Sequence, residues 1–167
     1  MKFSRATVSG VIGGVLVIAI VFAAGLASGQ DADLCALLGT SITALTGALS
    51  WTIGLAVQLA VAIAAALLYA TIFEWVTRRG GPLVGLAIAP AHAIIAGLAV
   101  GFLPTARLMS RGVSPPGAFL EYRGFIVAGA FVVAHLLFGV VVGAAYGASR
   151  HPITRTAAVW HDVTSRR

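Results

Sequence analysis

The sequence predicts an all-α integral membrane bundle of four transmembrane helices, with both ends of the chain on one side. Three observations carry that fold class. Hydrophobic residues make up 59% of the 167-residue chain and charged residues only 10%, where a soluble domain carries about 25% charged residues. Mean hydropathy is +1.00. The apolar residues also gather into four runs of about twenty or more, the length that crosses the hydrocarbon core of a bilayer. Backbone polar groups in lipid have to be paired within their own segment, which makes each run a helix. The alternating pattern of a membrane barrel is absent.

The first run covers residues 8–28. The basic start "MKFSR" gives it the look of a secretory signal, but its apolar core exceeds the roughly 7–15 residues of one and no A-x-A site follows. It is therefore read as a retained span. The stretch "QDADLCALLGTSITALTGALS" comes next, semi-polar and long enough for a short interfacial helix or an outward extension of the second span. That span covers residues 51–76. "TRRGGP" then makes a tight hairpin, with Gly80 and Gly81 ending one helix and Pro82 suited to the first turn of the next. The third span covers residues 82–103. "PTARLMSRGVSPPGAFLEYR" links it to the fourth, and Pro115 and Pro116 exclude a continuous helix through that loop. The fourth span covers residues 124–148, and residues 149–167 form a basic tail. There, Trp160 and the arginines suit anionic headgroups, and His151 and His161 are solvated. Residues 1–148 thus form a single domain.

Direction follows from the basic residues. Lys2, Arg5, Arg78, Arg79, Arg150, Arg155, Arg166 and Arg167 fall on one side of an alternating chain. Arg107, Arg111 and Arg123 fall on the other, together with Asp31, Asp33 and Glu121. The richer side is expected to be cytoplasmic. The chain is then a multi-pass protein of a bacterial inner membrane, with both termini inside. Trp51, Trp75, Tyr122 and Tyr146 sit near span ends as interfacial anchors.

Several function classes drop out. The net charge of +6 resides at span ends, and no stretch interleaves basic and aromatic residues as a nucleic-acid surface does. The single cysteine, Cys35, excludes an intrachain disulfide and a thiolate metal cluster. No nucleophile elbow, Walker loop, H-E-x-x-H or dinucleotide fingerprint occurs, and two intramembrane histidines are too few for zinc. The five acidic residues are scattered, with no pair placed for acid–base work. Ser110, Ser114 and Glu121 are ordinary loop residues. Catalysis by this chain alone is not expected.

What remains is a pattern of small residues and two imidazoles. Gly85, Ala89, Ala93, Gly97 and Gly101 recur every fourth residue in the third span, continuing the spacing of Gly81. Gly139, Gly143 and Gly147 do so in the fourth. Residues four apart share one ridge of a helix, and small-residue ridges let membrane helices approach closely. The ridges predict packing seams, within the chain or with a protein partner or second copy. "GVIGG" in the first span is a weaker signal of the same kind.

His92, in "APAHAIIAG", and His135, in "VVAHLLFG", fall near the midplane of antiparallel spans. His92 shares a face with Gly85, Ala89, Ala96 and Ala99, each within about 60° at 100° per residue. His135 heads the row through Gly139. Both are expected to face protein, where an ionisable group marks a candidate functional site. Three roles fit. One is a structural hydrogen bond, aided by the carbonyl that Pro90 leaves without its donor. Another is axial ligation of a b-type haem by His92 and His135. The last is a proton or solute path, which is thinly supported. Its only other polar members are Gln58 and Glu74, and Glu74 is read as an end-of-helix carboxylate beside Arg78.

"PAHAIIAGLAVGFLP", followed after a Pro-containing loop by "AHLLFGVVVGAAYG", resembles small bacterial inner-membrane proteins of the YagU-like group. The resemblance covers the last two spans. It implies membrane location and brings no catalytic residue with it. The chain is expected to be a non-enzymatic membrane subunit or scaffold within a larger assembly. A tetrapyrrole-binding redox protein is the alternative, and a small transporter is third.

Overall fold

The computed structural model describes residues 2–147, and among these every regular element is helical. Helix α1 spans Phe3–Ser28 and stops at Gly29 (φ +67°), whose left-handed turn lets the Gln30 N–H reach the Gly25 carbonyl at 2.8 Å. Helix α2 (Leu34–Ile42) lies in the semi-polar stretch. Asp33 caps it, one carboxylate oxygen accepting from the N–H groups of Cys35 and Ala36 at 2.9 and 3.0 Å. The other oxygen accepts from the Trp51 indole at 2.9 Å. Helix α3 (Gly47–Thr71) ends in a π turn, Ile72–Val76. Helix α4 (Pro82–Gly101) carries Pro82 in its first turn and runs on through Pro90. Helix α5 (Thr105–Ser110) and a 3₁₀ segment (Ala118–Arg123) fold the following loop. Helix α6 (Phe125–Tyr146) closes the described chain.

Four of these helices, α1, α3 with its π turn, α4 and α6, are long and apolar enough to cross a membrane. Helices matching the four expected spans are therefore present, displaced at their ends. The first begins five residues early, because "FSRAT" continues the helix below the apolar core. The second begins at Gly47, so the semi-polar stretch supplies both of the features expected of it as alternatives. The basic tail lies outside the described residues.

Helix α1 lies between α3 and α6, and α4 packs on the other side of α6. The row α3–α1–α6–α4 curls but does not close, since α3 and α4 make no extended contact. At the end of the bundle that holds the long loops, α2 covers α3, and the 3₁₀ segment wedges between α4 and α6. Small residues set the approaches. A Cβ on Gly10 would stand 2.7 Å from the Ile63 Cα, and one on Gly14 the same distance from the Ala62 Cβ, so α1 and α3 touch nearly backbone to backbone. Helices α2 and α3 do likewise, Gly39 meeting the Ser50 carbonyl and Gly54 that of Cys35.

The loop-end arginines serve the loops themselves. Arg107 donates to the Ser41 carbonyl at 3.5 Å, Arg111 to that of Ala44 at 2.7 Å, and Arg123 to that of Ser114 at 2.8 Å. They tie α5 to the end of α2 and fold the loop on itself. Cys35 is fully buried. Burial first, and then the nearby Asp33 carboxylate, push its thiol up to about 11, which keeps it protonated and unreactive at neutral pH.

Candidate functional site

The α4–α6 seam fixes the site. Gly85, Ala89, Ala93 and Gly97 are all buried along one ridge of α4. A Cβ on Gly139 would meet the Gly85 carbonyl at 2.5 Å and the Ala89 Cβ at 2.7 Å, and Gly143 faces the Gly81 carbonyl and Pro82. The upper part of the ridge meets the 3₁₀ segment instead, with the Phe119 ring over Gly97 and Ala118 over Gly101. Phe119 and Leu120 hold left-handed backbones (φ 54° and 63°), a conformation costly without glycine. It aims the Phe119 ring at the α4–α6 groove. Gly147 stands outside the seam. It follows the last turn of α6 at φ +79° and ends the helix. The ridges expected to be available to a partner or second copy are thus largely covered within the chain.

This close approach of α4 and α6 brings the two imidazoles together. Their ring centroids are 5.2 Å apart, edge to face. Phe138 stands 5.0 Å and Tyr69 5.7 Å from His92, and Phe131 lies 4.2 Å from His135. The face of α4 that sequence periodicity treats as one is divided in the structure. Gly85 and Ala89 belong to the seam, whereas His92, Ala96 and Ala99 turn into a cavity of about 170 Å³. Helices α1, α3, α4 and α6 supply its walls, with Gln58 as a further polar member, and Leu34, Leu37 and Leu38 of α2 roof it. Val61 and Ala99 line it yet remain exposed on the outside of the bundle. The cavity thus reaches the gap between α3 and α4, which make no extended contact.

The hydrogen bonding of the two rings differs. His135 Nδ1 lies 2.8 Å from the Phe131 carbonyl, one turn earlier on its own helix. A carbonyl only accepts, so Nδ1–H is the donor. The structural hydrogen bond expected of the histidines is present here. His92 does not use the carbonyl freed by Pro90, and its Nδ1 is buried without a partner. The Tyr69 hydroxyl is likewise buried and unpaired.

A haem does not fit between these residues. Axial ligation by both histidines needs a flat gap between the rings, and here they touch each other. The cavity is also smaller than the roughly 300–1,000 Å³ of a drug-sized ligand site. Among the described residues, no three His, Cys, Asp or Glu side chains converge on a metal position.

Two parts of the site were not evident from the sequence. Tyr69, Phe131 and Phe138 cage the histidines, but in a uniformly apolar helix the facing aromatics have no distinguishing spacing. The second concerns the far end of the bundle. Tyr146, expected as an interfacial anchor, is 1% exposed and donates to Glu74 Oε1 at 2.7 Å. The Lys2 backbone N–H donates to the Tyr146 hydroxyl at 3.1 Å. Glu74, expected beside Arg78, thus faces inward on the π turn.

No family model, curated protein or solved structure matches the chain.

Proposed function

We propose that this chain is a non-enzymatic multi-pass protein of the bacterial inner membrane that binds a small lipophilic molecule in the cavity at His92 and His135. The observation that carries this proposal is the cavity itself, at mid-bundle and apolar apart from two imidazoles and one amide. Ligand sites share this make-up, mostly apolar with a few placed polar groups. An apolar cavity of about 150 Å³ is enough to take up benzene, so this one suits a single ring or the end of a chain. The gap between α3 and α4 gives a route from the bilayer and leaves space for a tail to extend into lipid. An assembly role through the small-residue ridges has less support, since Gly85, Ala89, Ala93, Gly139 and Gly143 are covered within the chain.

The test uses 4-fluorophenol and ¹⁹F NMR on protein in phosphatidylcholine nanodiscs. A bound resonance is expected with the wild type and should vanish in Ala96→Phe, which fills the cavity. Identical spectra for wild type, variant and empty nanodiscs would overturn the proposal.

The proposed orientation places both termini in the cytoplasm and the α4–α6 loop outside, on the arginine asymmetry. In a Cys35→Ala background, Ser114→Cys should react with an impermeant maleimide in intact cells and Ser165→Cys in the tail should not. The reverse pattern would invert the map.

A further inference from the structure

The polar atoms of the cavity specify more than a lipophile. In the apolar interior, with no carboxylate among the residues lining the cavity, both imidazoles are neutral, since an unpaired charge there is costly. A neutral imidazole has one donor and one acceptor nitrogen. His135 commits its Nδ1–H to the Phe131 carbonyl, which leaves Nε2 as a bare lone pair. His92 has the opposite tautomer. Its Nδ1 is buried with no acceptor nearby, and a buried N–H without a partner is rare, so the proton belongs on Nε2. Both histidines line the cavity, and neither Nε2 is buried without a partner. The cavity thus presents one donor, His92 Nε2–H, beside one acceptor, His135 Nε2.

We infer that the ligand carries a hydroxyl on a ring-sized head, as a phenol or cyclic alcohol does, and that this hydroxyl bridges the two histidines. It would accept from His92 Nε2–H and donate to His135 Nε2. The two rings stand edge to face, with centroids 5.2 Å apart, and both line the same cavity. A ketone or ether oxygen accepts from His92 and leaves the His135 lone pair unpaired. A plain hydrocarbon leaves both unpaired. Sites built around a hydroxyl reject analogues that lack it, because their own buried polar groups then go unsatisfied. Among the described residues, the Gln58 amide is the one other polar side chain in the lining.

This inference rests on the proposed binding function, and its test separates the two. In the same nanodiscs, 4-fluorophenol and 4-fluoroanisole are titrated, each corrected for its partition into lipid. The phenol should bind about tenfold or more tighter than its methyl ether. His135→Phe should bring the phenol down to the level of the ether while leaving the ether unchanged. Independently of any variant, ¹⁵N shifts of labelled histidine should show the Nδ1–H tautomer at His135 and the Nε2–H tautomer at His92. Equal binding of phenol and ether, as expected if water already bridges the histidines, would overturn the hydroxyl inference. So would the opposite tautomers. If 4-fluorophenol gives no signal that Ala96→Phe removes, the binding function itself fails.

Discussion

Gly139→Leu is expected to break the bundle, and Gly129→Leu, on the same helix, to leave it standing. The two glycines are ten residues apart and alike in composition terms, but their surroundings differ completely. A Cβ on Gly139 meets the Gly85 carbonyl and Ala89 of α4, whereas one on Gly129 meets nothing within 4 Å. At Gly139 the obstacle is mainly backbone, so relief requires α4 to move away from α6. Overpacking costs typically about 1–3 kcal/mol, and more when no side chain is able to yield, so the cost here belongs at or above the top of that range. Separating α4 from α6 also parts His92 from His135. At Gly129, by contrast, Gly129→Ala should be neutral or stabilising, since glycine inside a helix costs roughly 0.5–1 kcal/mol relative to alanine. Gly97→Leu should fall between them, because its obstacle is the Phe119 ring, a side chain with some freedom to turn. Thermal unfolding in mild detergent, followed by tryptophan fluorescence, gives the ranking. Equal losses for Gly139→Leu and Gly129→Leu would mean that the α4–α6 seam does not hold the bundle together.

This contrast also marks how far the sequence reached. Four spans were legible because length and apolarity are cumulative properties of long segments, and bilayer thickness turns them directly into helices. The α4 ridge was legible because its period of four needs no knowledge of the partner. Its division between α6 and the 3₁₀ segment was not, because it depends on Phe119 and Leu120 adopting a left-handed backbone that no glycine announces. The histidine pair was anticipated as two residues at one depth facing protein. Their contact depends on the close approach of α4 and α6, and the cavity beside them on α3 and α4 failing to pack closely. That failure is a property of the curled row, α3–α1–α6–α4, and no short motif encodes it. Gly147 illustrates the limit of a spacing rule: it keeps the period of Gly139 and Gly143 but lies one step past the helix, where the same residue type serves as a stop.

At the other end of the bundle, Tyr146→Ala is expected to cost more than any substitution of an exposed aromatic such as Trp75. Tyr146 is 1% exposed and Trp75 77%. The Tyr146 ring packs on Phe73, centroids 5.7 Å apart, and its hydroxyl joins Glu74 to the Lys2 backbone. Truncating a buried aromatic to alanine costs about 3–5 kcal/mol. Tyr146→Phe separates the two contributions. It keeps the ring and removes a hydrogen bond to a carboxylate, worth about 1.5–3 kcal/mol. The π turn explains why that bond exists. Adding a residue to one turn shifts the face of everything after it, and here it brings Glu74 inward, in keeping with the tendency of π turns to mark special sites. A double-mutant cycle between Tyr146→Phe and Glu74→Gln isolates the pair from other contacts of Glu74. A coupling of at least about 0.5 kcal/mol is expected, the lower end for residues in direct contact. If the coupling were zero while Tyr146→Ala remained costly, ring packing alone would close this end, and the inward turn of Glu74 would need another cause.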